Sequence, residues 1–246
     1  MRLTIVNPNT TASMTRAIGA AARAAAAPGT LIEAVNPEHG PASIEGYYDE
    51  ALSVPGLLGE MRKAPDADAF IIACFDDTGL DAARSLVPVP VIGIGEAAIH
   101  MAMLVAGRFT VVTTLAVSVP ALEHNVLKYG FAHRCARVRA CEVPVLALED
   151  PASGARAKIS TEIARAVAED RAEAIVLGCA GMADLARSLA EEHGLPVVDG
   201  VAAAVKLAEG LVSLGLRTSK IGGYAAPRAK KTTATTADEA PLSTRR

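Results

Sequence analysis

ADAFIIACFDDTG, residues 67–79, runs through Phe70-Ile71-Ile72-Ala73 into a cysteine, Cys74, and then breaks into a short polar segment able to turn. AEAIVLGCAGMAD, residues 172–184, repeats the arrangement, with Ile175-Val176-Leu177-Gly178 running into Cys179 and small residues after it. A short continuous apolar run closed by turn-prone residues reads as a strand buried on both faces, the kind found in parallel sheets covered by helices. The chain has four cysteines, and two of them close equivalent runs at an offset of 105 (179 − 74).

Further matches extend the repeat. Leu3-Thr4-Ile5-Val6 corresponds to Phe109-Thr110-Val111-Val112 at an offset of 106 (109 − 3), and Val89-Pro90-Val91-Ile92 to Leu195-Pro196-Val197-Val198 at 106 (195 − 89). Three segments in one order at nearly one offset indicate a duplicated unit, far too long for a solenoid repeat. Strand-like runs at 3–7, 31–35, 69–74, 90–94, 109–114, 138–143, 174–179 and 196–200 alternate with helical patterns near 11–27, 48–63, 79–86, 96–106, 119–130, 152–169, 183–193 and 201–214. Strands alternating with helices give βαβ units and a parallel sheet. The expected fold is therefore α/β: two similar Rossmann-like domains with parallel sheets related by a pseudo-twofold axis and a site in the cleft between them. Residues 1–97 with about 201–224 form the first domain, 98–200 the second, and the polar, Thr-rich segment 225–246 is expected to be disordered.

Composition narrows the function classes. At 246 residues and 51% hydrophobic content the chain can bury a substantial core, and with no Trp and 3% aromatics that core is built from small aliphatic side chains. A net charge of −3, with no basic stripe and no interleaved aromatics, gives nucleic acid no electrostatic footprint. MRLTIV at the start enters a strand without the pattern of a secretory leader, and no uncharged run reaches bilayer length, so a cytoplasmic protein without membrane contact is expected. No C-x-x-C pair, metal-like histidine spacing, phosphate loop or G-x-G-x-x-G motif occurs, and neither metal nor cofactor is expected.

In open parallel sheets ligands bind outside the carboxyl ends of the strands. Cys74 and Cys179 close their strands there, one per domain, so the pseudo-twofold sets the thiols face to face. A helix N-terminus after each would supply N–H donors and lower the thiol pKa toward neutrality. Two opposed acid/base groups suit inversion at a carbon that bears a weakly acidic proton: one thiolate removes the proton from one face and the other thiol returns one to the opposite face. Free cysteine is also a common buried hydrophobe, and that reading holds for Cys135 and Cys141, which have no acid, base or glycine-rich loop in register.

Other polar residues gather at the same edge. Asn7-Pro8-Asn9-Thr10 follows the first strand and Thr113-Thr114 the fifth, either to bind a small polar ligand or to cap the next helices. The loop Gly40-Pro41-Ala42-Ser43-Ile44-Glu45-Gly46 can bend over a cleft, and Asp76 and Asp77 can orient a ligand or cap the helix at 79–86.

NPNTTASMT (7–15), GPASIEGYYDE (40–50), CFDDTGLDAAR (74–84), TTLAVSVPALE (113–123), LGCAGM (177–182) and PVVDGVAAAV (196–205), in this order and with both cysteines, resemble the aspartate/glutamate/hydantoin racemase superfamily, and within it the hydantoin racemases. The resemblance covers about 1–224 and implies cofactor-independent racemisation of a 5-monosubstituted hydantoin by a homo-oligomeric enzyme. Carried over, Cys74 and Cys179 match the acid/base thiols. Asn7, Ser43, Ile44, Phe75, Asp76, Thr113, Thr114, Ala180 and Gly181 match segments that bind the cyclic ureide. Relatives acting on acidic amino acids tend to place Thr and then an ionisable residue after the second cysteine. Ala180-Gly181-Met182 here suits an uncharged ring. Allantoin, itself a 5-substituted hydantoin, is the rival substrate, with an amino acid further behind, while Phe75, Val119 and Met182 lean toward apolar substituents. A two-domain binding protein and a Cys74–Cys179 disulfide redox protein are the readings from other classes.

Overall fold

The computed structural model describes residues 1–229; the expectation for 225–246 therefore lies, from position 230 on, outside the described residues. The first half runs β1 (Arg2–Val6), α1 (Ala12–Ala25), β2 (Leu31–Val35), α2 (Tyr47–Lys63), β3 (Ala69–Ile72), α3 (Leu80–Leu86), β4 (Val91–Gly93) and α4 (Ile94–Val105). The second repeats it with β5 (Phe109–Thr113), α5 (Val119–Lys128), β6 (Cys135–Ala140), α6 (Ala155–Asp170), β7 (Ala174–Gly178), α7 (Ala186–His193), β8 (Val197–Val198) and α8 (Gly200–Ser213). The sheets have the same order, β2-β1-β3-β4 and β6-β5-β7-β8, and every pairing is parallel. The duplication visible in the sequence is thus a duplication of topology, and both cysteine-bearing strands are interior ones.

Interior parallel strands are covered on both faces, and the side chains sort accordingly. Leu3, Ile5, Ala69 and Ile71 from the first sheet and Phe109, Val111, Ala174 and Val176 from the second enter one shared cluster with α1, α4 and α8. Alternate residues point outward: Val6, Phe70 and Ile72 meet Leu57, Met61 and Leu80, while Val112, Ile175 and Leu177 meet Ile159, Ile163 and Leu189. The small side chains of α4 and α8 let these helices lie between the two sheets, with Ala97, Ala98, Ala102, Ala204 and Ala208 buried.

One strand departs from its sequence pattern. The run at 138–143 is apolar enough to be a strand, yet β6 spans Cys135–Ala140. Its register is set at Phe109↔Cys135 with an irregularity at Phe109/Thr110, and Glu142 adopts φ +53°, which ends extended structure.

Within β6, Arg139 is 6% exposed and its guanidinium donates to Asp170 (2.7 Å from Nη2), Glu162 (2.9 Å) and Glu169 (2.7 Å). Removing the cation leaves Asp170 and Glu162, both buried, with only the exposed Arg137 (3.6 Å) and Arg165 (3.1 Å) as cationic partners. Arg139→Met is expected to lower the unfolding free energy by about 3 kcal/mol. Arg165→Ala, at the exposed rim of the same network, should change it by less than about 1 kcal/mol; urea denaturation of the two variants checks the contrast.

Candidate active site

In each sheet the chain leaves the first-formed strand in one direction and returns on its other side, so the gap between β1 and β3, and between β5 and β7, is a topological switch point. Four segments leave the carboxyl ends there: Asn7-Pro8-Asn9 after β1, Ala73-Cys74-Phe75-Asp76 after β3, Thr114 after β5 and Cys179-Ala180 after β7. They enclose a cavity of about 30 Å³ lined also by Met14, Ile44, Ser118 and Val145. Cys74 and Cys179, delivered by different sheets, lie on its wall together.

The segment after Cys74 is held from three sides. Asp77, in the left-handed region at φ +52°, accepts hydrogen bonds from Gly95 N (2.9 Å), Glu96 N (2.7 Å) and Tyr129 Oη (2.6 Å). A side chain at Gly93 would place its Cβ 2.0 Å from Asp77 Oδ1, so the Gly93-x-Gly95 pair exists to admit this carboxyl. Asp77 therefore caps α4, and not the following α3 as its position in the sequence suggests. Asn125 of α5 donates to the Asp76 carbonyl at 2.8 Å. Across the site, Glu45 accepts from Val145 N at 3.0 Å, tying the Gly40–Gly46 loop to the second half.

Burial decides the thiol chemistry. Sequence position alone suggests helix N-termini that lower both thiol pKa values; the structure corrects this. α3 does not begin until Leu80, so Cys74 has no helix end beside it and receives the Thr78 hydroxyl, at 3.3 Å, and the Asp76 N–H. Desolvation, with Asp76 beside it, holds the Cys74 thiol well above its ordinary value. Desolvation pushes Cys179 up to about 12, against the single Gly181 N–H that favours its thiolate. Desolvation and the neighbouring carboxyls of Glu50 and Asp77 likewise raise Asp76 to about 8.

The cavity gathers Asn7, Ile44, Phe75, Asp76, Thr113, Thr114 and Ala180 with the two cysteines. Ser43 sits half-buried in the loop without lining it, and Gly181 borders it only through its N–H to the Cys179 sulfur. Met182 is fully buried in the outer core of the second sheet, away from any ligand, and Val119 packs partly buried against the shared core. Asn7 lines the cavity and its amide donates to Asn9 (2.8 Å) and Thr15 (3.0 Å), while the capping falls to Asn9, whose Oδ1 accepts from Thr11 N at the start of α1. Asn9, offered from sequence as a ligand or cap residue, lines the cavity, while Met14, Ser118, Val145 and Glu50 belong to the site or its backing and were not singled out from sequence. Met14, Ser118 and Glu50 do lie inside the stretches 7–15, 113–123 and 40–50; Val145 lies outside all of them and arrives by tertiary packing. Among the described residues no three His, Cys, Asp or Glu side chains come together as metal ligands, and no helix is long and apolar enough to cross a membrane.

A second, larger groove of about 1210 Å³ opens between α1 and the segments 148–156 and 180–187, and it shares Met14 and Ala180 with the cavity. Its α1 wall is a row of alanines, Ala17, Ala20, Ala21 and Ala24 among them.

Two thiols thus line one cavity between twinned parallel sheets. The chain belongs to the Asp/Glu/Hydantoin racemase family, whose model matches residues 3–208. It is 51% identical to a hydantoin racemase of Rhizobium meliloti over 94% of this chain and 96% of that one. Among solved structures, an allantoin racemase from Klebsiella pneumoniae superposes with a TM-score of 0.93 at 50% identity, covering 95% of this chain and 96% of the other. An allantoin racemase from Pseudomonas fluorescens gives 0.92 at 43%, covering 95% and 100%.

Raised thiol pKa values have a direct consequence for reactivity. Only thiolate is alkylated, and its fraction rises with pH until the pKa is passed. Iodoacetamide should therefore modify Cys179 and Cys74 more slowly than a free thiol at neutral pH, accelerating roughly tenfold per pH unit from about pH 7 to 9. Mass spectrometry of tryptic peptides over time reads both sites separately.

Proposed function

We propose that the chain racemises 5-monosubstituted hydantoins by proton transfer between Cys74 and Cys179, without a cofactor. The observation that carries this reading is the shared cavity: residues 1–97 with 201–224 deliver one thiol to it and residues 98–200 the other. As thiolate, one cysteine takes the C5 proton and becomes a thiol; the electron pair left at C5 delocalises into the adjacent carbonyl as an enolate. The second cysteine gives its proton to the opposite face and becomes the thiolate, so the product has inverted C5 and the two cysteines have exchanged states. High thiol pKa values serve this step, because a more basic thiolate is closer in proton affinity to a weak carbon acid, at the expense of a smaller thiolate population.

The surroundings suit a neutral ring. Asn7, Asn9, Thr114 and Ser118 offer uncharged polar groups, and among the described residues no lysine or arginine lines the cavity to receive a carboxylate. A volume of about 30 Å³ is far below the several hundred Å³ of ordinary small-molecule sites, so seating the ring requires the wall to open. The Gly40–Gly46 loop contributes Ile44 to that wall and has a positive-φ glycine at each end. The 5-substituent then has an outlet past Met14 and Ala180 into the larger groove. Allantoin shares the ring and differs only in that substituent. The 50% identity to the Klebsiella allantoin racemase, beside 51% to the Rhizobium hydantoin racemase, makes it the second substrate to test.

Proton NMR in D₂O of L-5-benzylhydantoin with the purified protein, together with optical rotation, tests the reading. Rotation should decay to zero as the C5 proton exchanges, and racemisation should fall by about 100-fold or more in Cys74→Ser and in Cys179→Ser. Exchange of allantoin alone would reassign the substituent, and absence of exchange in any hydantoin-type ring would sink the function.

A further inference from the structure

Two carboxyls at the wall of the cavity have no part in the thiol chemistry. Asp76 lines the cavity beside Cys74, and Glu50, in the first turn of α2, stands behind it. One oxygen of each, Asp76 Oδ2 and Glu50 Oε1, is fully buried and receives no hydrogen bond from any donor among the described residues. The groups facing Asp76 are Glu50 from α2, Asp77 from its own segment, Cys74 below it and Cys179 from the opposite sheet, all of them acidic. Neither carboxyl has a cation as a salt-bridge partner among the described residues.

Two buried carboxylates in contact, without a cation, cannot both stay ionised. One proton between them supplies a donor where two acceptors otherwise meet, and the two side chains are within hydrogen-bonding reach once one is protonated. Burial raises both carboxyls above their ordinary values, Asp76 to about 8, so the proton is present at neutral pH.

We propose that Glu50 and Asp76 share one proton, that Asp76 thereby contacts the substrate as a neutral hydrogen-bond acceptor for a ureide N–H, and that Glu50 is the positioning residue holding it in that state. The substrate part of this inference rests on the hydantoin reading above; the shared proton does not. An ionised Asp76 would accept the same N–H, but its charge would oppose formation of either thiolate, since Asp76 already weighs against the anions of both Cys74 and Cys179. A neutral acceptor recognises the ring without that penalty. Glu50 acts only through Asp76, because it does not reach the cavity itself.

Infrared difference spectroscopy of the substrate-free full chain in D₂O detects the carbonyl stretch of a protonated carboxyl directly. The wild type should show the band at pH 7 and lose it with a midpoint near pH 8. Asp76→Asn should abolish it, and Glu50→Gln, whose amide can donate to an ionised Asp76, should lower the midpoint by at least one pH unit. In racemisation assays Glu50→Gln should lower kcat at pH 7 more than it raises KM and recover toward acid pH. Asp76→Asn, which keeps a neutral carbonyl, should exceed Asp76→Leu in kcat/KM by more than tenfold. Absence of the band from the wild type at pH 7, or an unchanged midpoint in Glu50→Gln, overturns the shared proton. If Glu50→Gln fails to fold by circular dichroism, the Asp76→Asn spectrum decides: Asp77 contributes its own band with a midpoint near pH 7, and a component with a midpoint near pH 8 that survives there overturns the assignment. Expected infrared behaviour with no ring exchange in any hydantoin overturns the substrate contact and the hydantoin reading, while the proton pair stands.

Discussion

The carboxyl of Asp77 joins three elements that no other group connects. It belongs to the loop that carries Cys74, it closes the N-terminus of α4, the helix between the two sheets, and it receives the Tyr129 hydroxyl from α5 of the second half. Its left-handed backbone turns the chain away from the strand so that Cys74 faces the cavity, and the two glycines at Gly93 and Gly95 leave the space that the carboxyl fills. Burial raises this carboxyl to about 7 even with three donors on it, so the clamp sits close to its own titration. The position of one thiol relative to the other therefore depends on a group three residues past Cys74.

The fold was legible because it is local information repeated. Apolar runs such as Phe109–Thr113 and Ala174–Gly178, each followed by a helical pattern, specify a parallel sheet. The offset near 106 shows that the sheet is made twice, and both sheets have the same strand order. β6 was misplaced because its ends are fixed by pairing with β5 and by the positive φ of Glu142, neither of which leaves a mark in hydrophobicity. The shared core was also hidden: alanines of α4 and α8 read as ordinary helix formers, and only packing shows that their small size lets two helices serve both sheets.

Site residues divide along the same line. Cys74, Cys179, Asn7, Thr113 and Thr114 occupy the carboxyl ends of interior strands, a position that a sequence states almost outright once the sheet is recognised. Met14 sits on a helix and Ser118 and Val145 on two 3₁₀ turns, and they come to the cavity only because the halves close on each other. The Met182 side chain shows the reverse error, since a residue three past a cavity cysteine can still point into the outer core. The pKa of the thiols misled for the same reason. A helix after a cysteine suggests a depressed value, but α3 begins too far away, and enclosure by both halves dominates.

Enclosure is also what ties the chemistry together. Sealing two thiols into a cavity of about 30 Å³ raises their pKa, and any fixed negative charge nearby would raise it further. Acidic groups are nonetheless what the surrounding segments supply, at Glu45, Glu50, Asp76 and Asp77. The arrangement is workable because each is matched without a cation: Glu45 takes the Val145 N–H, Asp77 takes three donors, and a single proton serves Glu50 and Asp76 together. A lysine or arginine in their place would lower the thiol pKa, but it would also hold a substrate carboxylate and weaken the base that must take a proton from carbon. Neutralising carboxyls with protons and N–H groups keeps the site uncharged and its thiolate strongly basic, which suits a neutral ring with a weakly acidic C–H.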